Sequence, residues 1–157
     1  MDAFSIRGSD GYITIVFQEV FNFPEKTSVL GGYDVRGVIE IQCGTLGQYQ
    51  AKGTLYFSTG QLFNLYNQLK DAYKSLHGEI NFTNEYDKTL NVKLEFDDKG
   101  HCIVSGDFGE LSHERKRLFF EINSDQTYFS STIKELHSIV DKYGDLKGIR
   151  LQNNGCK

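Results

Sequence analysis

The chain has 157 residues, of which 13% are aromatic, and a formal net charge of −4 at pH 7. This length suits one domain that buries roughly 70% of the surface its unfolded chain would expose, so no disulfide or metal is needed to stabilise it. The acidic balance argues against a general binder of nucleic-acid phosphates and slightly favours a basic partner.

Cysteine spacing and the N-terminal residues bear on the compartment. Cys43, Cys102 and Cys156 are an odd number, are widely separated and have no neighbour at metal-ligand spacing, which indicates reduced thiols. The first residues lack the basic and apolar regions of a secretion signal, and no apolar run approaches the roughly 20 residues of a membrane helix. We therefore expect a soluble cytoplasmic protein.

The first half of the chain changes from a strand period to a helix period. Alternation of apolar and polar residues predicts strands over residues 4–7, 12–21, 34–43 and 49–57. Apolar residues then recur at helical spacing from Leu62 to Leu76, which predicts an amphipathic helix. Ser58 or Thr59 can cap its start, and Gly78 can close its end in the left-handed conformation.

The second half repeats the change of period. Strands are predicted over residues 79–83, 89–96, 101–108 and 118–122. A second helix follows, with apolar residues from Phe129 to Tyr143 and Gly144 as its end. Its start is open, because Asp125 or Ser130 can serve as the cap and Thr132 with Glu135 also fits a capping box.

These elements predict an α+β fold in one domain. We expect a mainly antiparallel sheet of about seven or eight strands with two amphipathic helices packed on one face, over residues 1–144. Residues 145–157 form a polar tail with little to bury, so we expect it to fray. The sequence shows no internal repeat, linker or second domain.

A search for catalytic or metal-binding patterns finds none. His77, His101, His113 and His137 are scattered, and none has a Cys or His at metal-ligand spacing. The run from Glu110 to Glu114 departs from the zinc-protease motifs and is typical of a solvated charged loop. The pair Asp97 and Asp98 precedes Lys99-Gly100, which favours a turn over a pair of catalytic carboxylates. We therefore expect a protein that is not an enzyme and needs no metal or cofactor.

Several segments resemble a known family. They are Val20–Pro24, Gly31–Gly37 (GGYDVRG), Gly53–Gly60 (GTLYFSTG), Gly100-His101, Ser124–Tyr128 and Lys142–Gly144. Their order and spacing resemble the WapI-family immunity proteins from about Phe4 to Gly144. Tyr56 stands where that family is expected to have Trp.

The resemblance implies a cytoplasmic antitoxin in a bacterial contact-dependent or polymorphic toxin system. Such a protein binds the C-terminal domain of its cognate toxin and neutralises it by occlusion. Those toxin domains are often nucleases, and nucleases tend to be basic, so the acidic balance here would complement one. The resemblance requires no cofactor, and it leaves open the toxin, the contact surface and the oligomeric state.

Residues for toxin contact are expected among acidic and aromatic side chains at turns and in the charged loop. These candidates are Tyr33, Glu85, Tyr86, Asp97, Asp98, Asp107, Glu110 and Glu114. Tyrosines beside turns also pack commonly as lids on a core. The alternative function is a small-molecule or carbohydrate-binding sheet domain whose helix-free face presents Tyr and Phe.

Overall fold

The computed structural model describes residues 1–110 and 115–150, and these contain eight strands and two helices. In chain order the elements are β1 (Ala3–Arg7), β2 (Gly11–Val20), β3 (Asp34–Cys43), β4 (Tyr49–Ser58), α1 (Thr59–Ser75), β5 (Gly78–Thr83), β6 (Leu90–Phe96), β7 (His101–Gly109), β8 (Arg117–Asp125) and α2 (Gln126–Tyr143). All neighbouring strands are antiparallel, in two sheets of order β1-β2-β3-β4 and β5-β6-β7-β8. The predicted α+β class is confirmed, and the strands form two sheets of four.

Helix α1 begins with the predicted cap. The Ser58 hydroxyl accepts from the Gln61 amide at 3.2 Å, and the Gln61 side chain accepts from the Ser58 amide at 3.0 Å, which completes a capping box. The predicted end at Gly78 is wrong. Leu76 adopts the left-handed conformation (φ 52°) and ends the helix earlier, while Gly78 (φ 126°) begins β5.

Asp125, one of the predicted alternatives, caps the start of helix α2, and its side chain accepts from the Thr127 amide. The capping box proposed for Thr132 and Glu135 is wrong, because both side chains bond to β1 instead. The Thr132 hydroxyl donates to the Ser5 carbonyl at 2.6 Å, and the Glu135 carboxylate accepts from the Ser5 amide at 3.2 Å. The helix therefore covers the edge of the first sheet, where unpaired backbone groups would otherwise invite another chain.

The two halves of the chain have the same construction, four antiparallel strands and a helix. The caps Ser58 and Asp125 are 67 positions apart, and buried residues of α1 recur in α2 at that same offset, as from Leu62 to Phe129 and from Leu69 to Leu136. The same positions are buried in both halves, but few of the residues at those positions are identical. The sequence analysis therefore found no repeat.

One hydrophobic core lies between the elements. The inward faces of both sheets contribute to it, together with the apolar stripes of α1 and α2. Helix α1 packs on α2 and β5, and α2 packs on β1. Each sheet therefore buries one face and exposes the other to solvent.

The segments that carry the family resemblance meet in space. The Gly32 amide donates to the Leu146 carbonyl at 2.7 Å, and the Tyr33 amide donates to the Thr59 hydroxyl at 2.8 Å. Gly32 has φ +65°, and a Cβ there would lie 2.2 Å from the Thr59 hydroxyl, so this close approach requires glycine. These motifs join the loop before β3 to the start of α1, and residues 145–150 of the expected tail pack on the same loop.

Candidate functional site

The bare face of the second sheet is the surface most suited to a partner. Cross-strand register aligns its outward side chains in three rows of four. We call these twelve residues the second outer face: Glu79, Glu95, Ile103 and Asn123; Asn81, Lys93, Ser105 and Glu121; Thr83, Asn91, Asp107 and Phe119.

This face is acidic. Four carboxylates, on Glu79, Glu95, Asp107 and Glu121, stand against one ammonium group, on Lys93. The Lys93 ammonium bridges Glu95 and Glu79, and the hydrogen bond that it donates to Glu95 is the largest cause of its raised pKa. Asp107 pairs with Arg117 just beyond the face. Glu121 is exposed and has no charged partner within the described residues, so a surplus of negative charge faces solvent.

Two apolar side chains stand out on the same face. Phe119 is 75% exposed and Ile103 is 44% exposed. Both occupy outward positions of strands whose inward neighbours are buried, so their exposure follows from the strand period. Apolar anchors among polar groups are the usual make-up of a protein–protein interface.

The corresponding face of the first sheet differs in charge. Arg36 pairs there with Glu19 at 3.2 Å, and Glu40 lies directly opposite Lys52 in the register. The positive and negative groups of that face thus balance. The two bare sheet faces therefore differ in charge, and this difference favours the second for a basic partner.

A comparison with known protein families identifies the family to which the chain belongs. The model of the immunity protein WapI-like family matches residues 5–144. The chain belongs to this family. Membership supports an immunity role, as the sequence resemblance implied. No curated protein and no solved structure matches the chain significantly.

Tyr33, one of the residues predicted to contact a toxin, lies in the core of this immunity-family fold. It is 3% exposed, and its ring packs edge-on against Phe23 at 4.9 Å, beside Tyr143. The sequence analysis gave packing on the core as the alternative to binding for tyrosines beside turns. Burial leaves Tyr33 no surface for a partner.

The other predicted residues divide between the two ends of the second sheet. Asp97 and Asp98 lie in the β6–β7 turn at one end. Glu85 and Tyr86, in the β5–β6 loop, lie at the other end with Asp107 and Glu110. Because β6 has seven residues, the two groups are about 20 Å apart. Glu114 lies outside the described residues.

Two of these carboxylates already have structural partners. Asp97 accepts from the amides of Lys99 and His101, both at 2.9 Å. Desolvation raises the pKa of Asp97, but these bonds and the nearby His101 side chain together outweigh it and leave the pKa below its usual range. Asp107 is held by Arg117. Asp98 and Glu110 are exposed, and Glu110 lies 3.4 Å from Lys116.

The sequence analysis missed five residues of this face: Glu79, Glu95, Ile103, Phe119 and Glu121. The parity that places Phe120 and Ile122 inward also places Phe119 and Glu121 outward, so their exposure could have been predicted. Their assembly into one surface depends on the order and register of four strands, and the sequence pattern does not contain these.

Reactive groups are few in the described part of the chain. Residues 1–110 and 115–150 contain no group of three or more His, Cys, Asp or Glu placed to hold a metal ion. Burial raises the pKa of Cys102 to about 12 and also raises that of Cys43, so both thiols are protonated at neutral pH. Neither described helix has the length and apolar character needed to cross a membrane.

Proposed function

We propose that the protein binds the cognate domain of a bacterial toxin in the cytoplasm and inhibits it by occlusion, without catalysis. The toxin domain is basic, and a nuclease is the class that best fits this charge. Family membership supports the immunity role. The acidic second outer face supports the charge of the partner and the surface used, and it is the observation on which the proposal most depends.

The electrostatic argument concerns recognition. A basic nuclease surface attracts phosphates, and carboxylates at Glu79, Glu95 and Glu121 would compete for that surface and speed the encounter. Phe119 and Ile103 would then lose solvent in the contact, and such apolar anchors contribute a large part of the binding free energy. Such a mode of inhibition needs surface complementarity and no reacting group.

The first experiment is co-expression with the toxin domain encoded beside this protein, followed by co-purification and a nuclease assay. We expect a stable complex in which nuclease activity is lost. A wild-type protein that neither binds nor protects would overturn the immunity proposal for this pair. A complex that forms while the toxin remains active would overturn inhibition by occlusion.

Charge reversal then tests the surface. The triple variant Glu79→Lys, Glu95→Lys, Glu121→Lys should lower the association rate by at least tenfold at low salt. A matched control reverses three exposed carboxylates elsewhere: Glu25, Asp71 and Asp141. Because both variants change the net charge equally, an equal loss in the control would show that only overall charge matters and would overturn the assignment of the face. Reversal of Asp97, Asp98 and Glu110 tests whether the contact extends to the ends of the sheet.

A further inference from the structure

A second feature lies where the two halves of the chain meet. The start of β3, the end of β4 and the β5–β6 loop enclose a cleft of about 310 Å³. Its apolar base includes Val35 and Phe57, which are buried. Tyr56 and Tyr86 line it and remain 43% and 49% exposed, and Asp34 and Asp87 line it as well.

The lining of the cleft is held in place by hydrogen bonds. The Tyr86 hydroxyl donates to Asp34 Oδ1 at 2.7 Å. The fully buried Asn84 donates to Asp87 Oδ1 at 2.6 Å and to the Tyr56 carbonyl at 3.2 Å. Side chains fixed before binding lose little conformational entropy when a ligand arrives, so this arrangement favours binding.

Each carboxylate keeps one oxygen for a ligand. Within residues 1–110 and 115–150, the hydrogen bonds to Asp34 and Asp87 side chains use Oδ1, and none uses Oδ2. Arg36 lies opposite Tyr56 across the strands, and its guanidinium pairs with Glu19 at 3.2 Å. The cleft thus combines negative charge, aromatic rings and an apolar base.

We infer that this cleft binds an arginine side chain of the partner protein. A guanidinium group has a planar face for a tyrosine ring and donors for the carboxylate oxygens, and its aliphatic stem suits the apolar base. A volume of about 310 Å³ lies at the lower limit for small-molecule sites, which suits one side chain. The inference rests on the proposed function for the identity of the partner, but the chemistry of the cleft can be tested without it.

The test uses N-acetyl-arginine amide as the probe and the whole protein as the receptor. We expect saturable NMR shifts at Tyr56, Tyr86 and Asp87, with a dissociation constant on the order of millimolar. N-acetyl-norleucine amide keeps an aliphatic stem and lacks the charge, and it should produce no saturable shift. Absence of shifts with the arginine probe, or equal shifts with both probes, would overturn the inference.

Variants locate the binding. Tyr56→Leu removes the ring, whose hydroxyl has no hydrogen bond within residues 1–110 and 115–150, and Asp87→Asn removes the charge. Each change should weaken probe binding about tenfold. The matched controls are Tyr49→Leu, at a tyrosine 58% exposed at the other end of β4, and Asp98→Asn, in an exposed turn. Equal binding of the arginine probe by Tyr56→Leu and Tyr49→Leu would overturn the inference. This comparison holds even if Asp87→Asn disturbs the β5–β6 loop, because neither tyrosine variant changes that loop.

The toxin complex provides the final comparison. Tyr56→Leu combined with Asp87→Asn should raise the dissociation constant of the complex at least tenfold. Unchanged toxin affinity would overturn the assignment of the arginine to the partner and leave the proposed function intact. Failure of the proposed function is recognised separately, because the wild-type protein would then form no complex.

Discussion

Replacement of Asn84 by Ala should strongly destabilise the protein, because this side chain links the two halves from a fully buried position. Its amide nitrogen has two hydrogens, and three acceptors lie within reach: the Tyr56 carbonyl, Asp87 Oδ1 and the Thr89 hydroxyl. Its oxygen accepts from the Leu90 amide at 2.8 Å. Three bonds are therefore lost at once.

The expected loss follows from these bonds. A neutral bond contributes about 1 kcal/mol and a bond to a carboxylate about 1.5–3 kcal/mol, and the buried Leu90 amide would remain without a partner. We expect the free energy of unfolding to fall by about 3–5 kcal/mol. With a urea m-value of about 2 kcal/mol/M, the midpoint should fall by about 2 M.

Urea unfolding followed by circular dichroism measures this loss, with Asn81→Ala as the control. Asn81 is exposed and bonds only to Glu79 within the described residues, so its loss should change stability by less than about 0.5 kcal/mol. A loss below about 1 kcal/mol for Asn84→Ala would refute the reasoning. Asn84→Asp should also destabilise at pH 7, because it places a second carboxylate beside that of Asp87.

Three further predictions concern the backbone, pH and thiols. Gly32→Ala should lower the free energy of unfolding by more than about 2 kcal/mol, because φ is +65° and the new Cβ would lie 2.2 Å from a hydroxyl. The control Gly47→Ala, whose new Cβ would have its nearest neighbour at 3.4 Å, should be nearly neutral in the same urea assay. Hydrogen bonds donated by Thr127 lower the pKa of Asp125 below 3.8, so the ionised cap stabilises the fold above that pH. This contribution should disappear as the pH falls further. It is measured as the difference in the free energy of unfolding between wild type and Asp125→Asn. Cys102, with a pKa raised to about 12, should react with iodoacetamide at pH 8 only after unfolding, as peptide mass mapping would show.

Most of the fold could be predicted because local periods carry it. The alternation of apolar and polar residues predicted both ends of β3 correctly, and it predicted the ends of most other strands to within one residue. The end of β8 was missed because it depends on distant partners. Residues 123–125 pair with the first three residues of β7, and on the other edge the Asn123 amide donates to Asp10 at 2.8 Å while its carbonyl accepts from the Ser9 amide. Such contacts leave no trace in a local period.

The candidate site could be predicted only in part. Turn chemistry identified Asp97, Asp98, Glu85 and Tyr86 as surface residues, and the structure agrees with their exposure. The exposure of Tyr33 was predicted wrongly, because the two rings that cover it, those of Phe23 and Tyr143, come from other parts of the sequence. The grouping of Glu79, Glu95 and Glu121 with Phe119 on one face required the strand order.

The two halves show why the second outer face is the more informative surface. At the common offset of 67 positions, inward Leu55 corresponds to Ile122, and both are buried. Outward Lys52 corresponds to Phe119, and Thr54 to Glu121, so the outward positions differ in charge and in apolar character. The core restricts inward side chains to apolar groups that fill its volume, whereas outward positions face solvent and tolerate exchange at little cost in stability. An immunity protein must keep its fold while matching one particular toxin, and only the outward positions allow both.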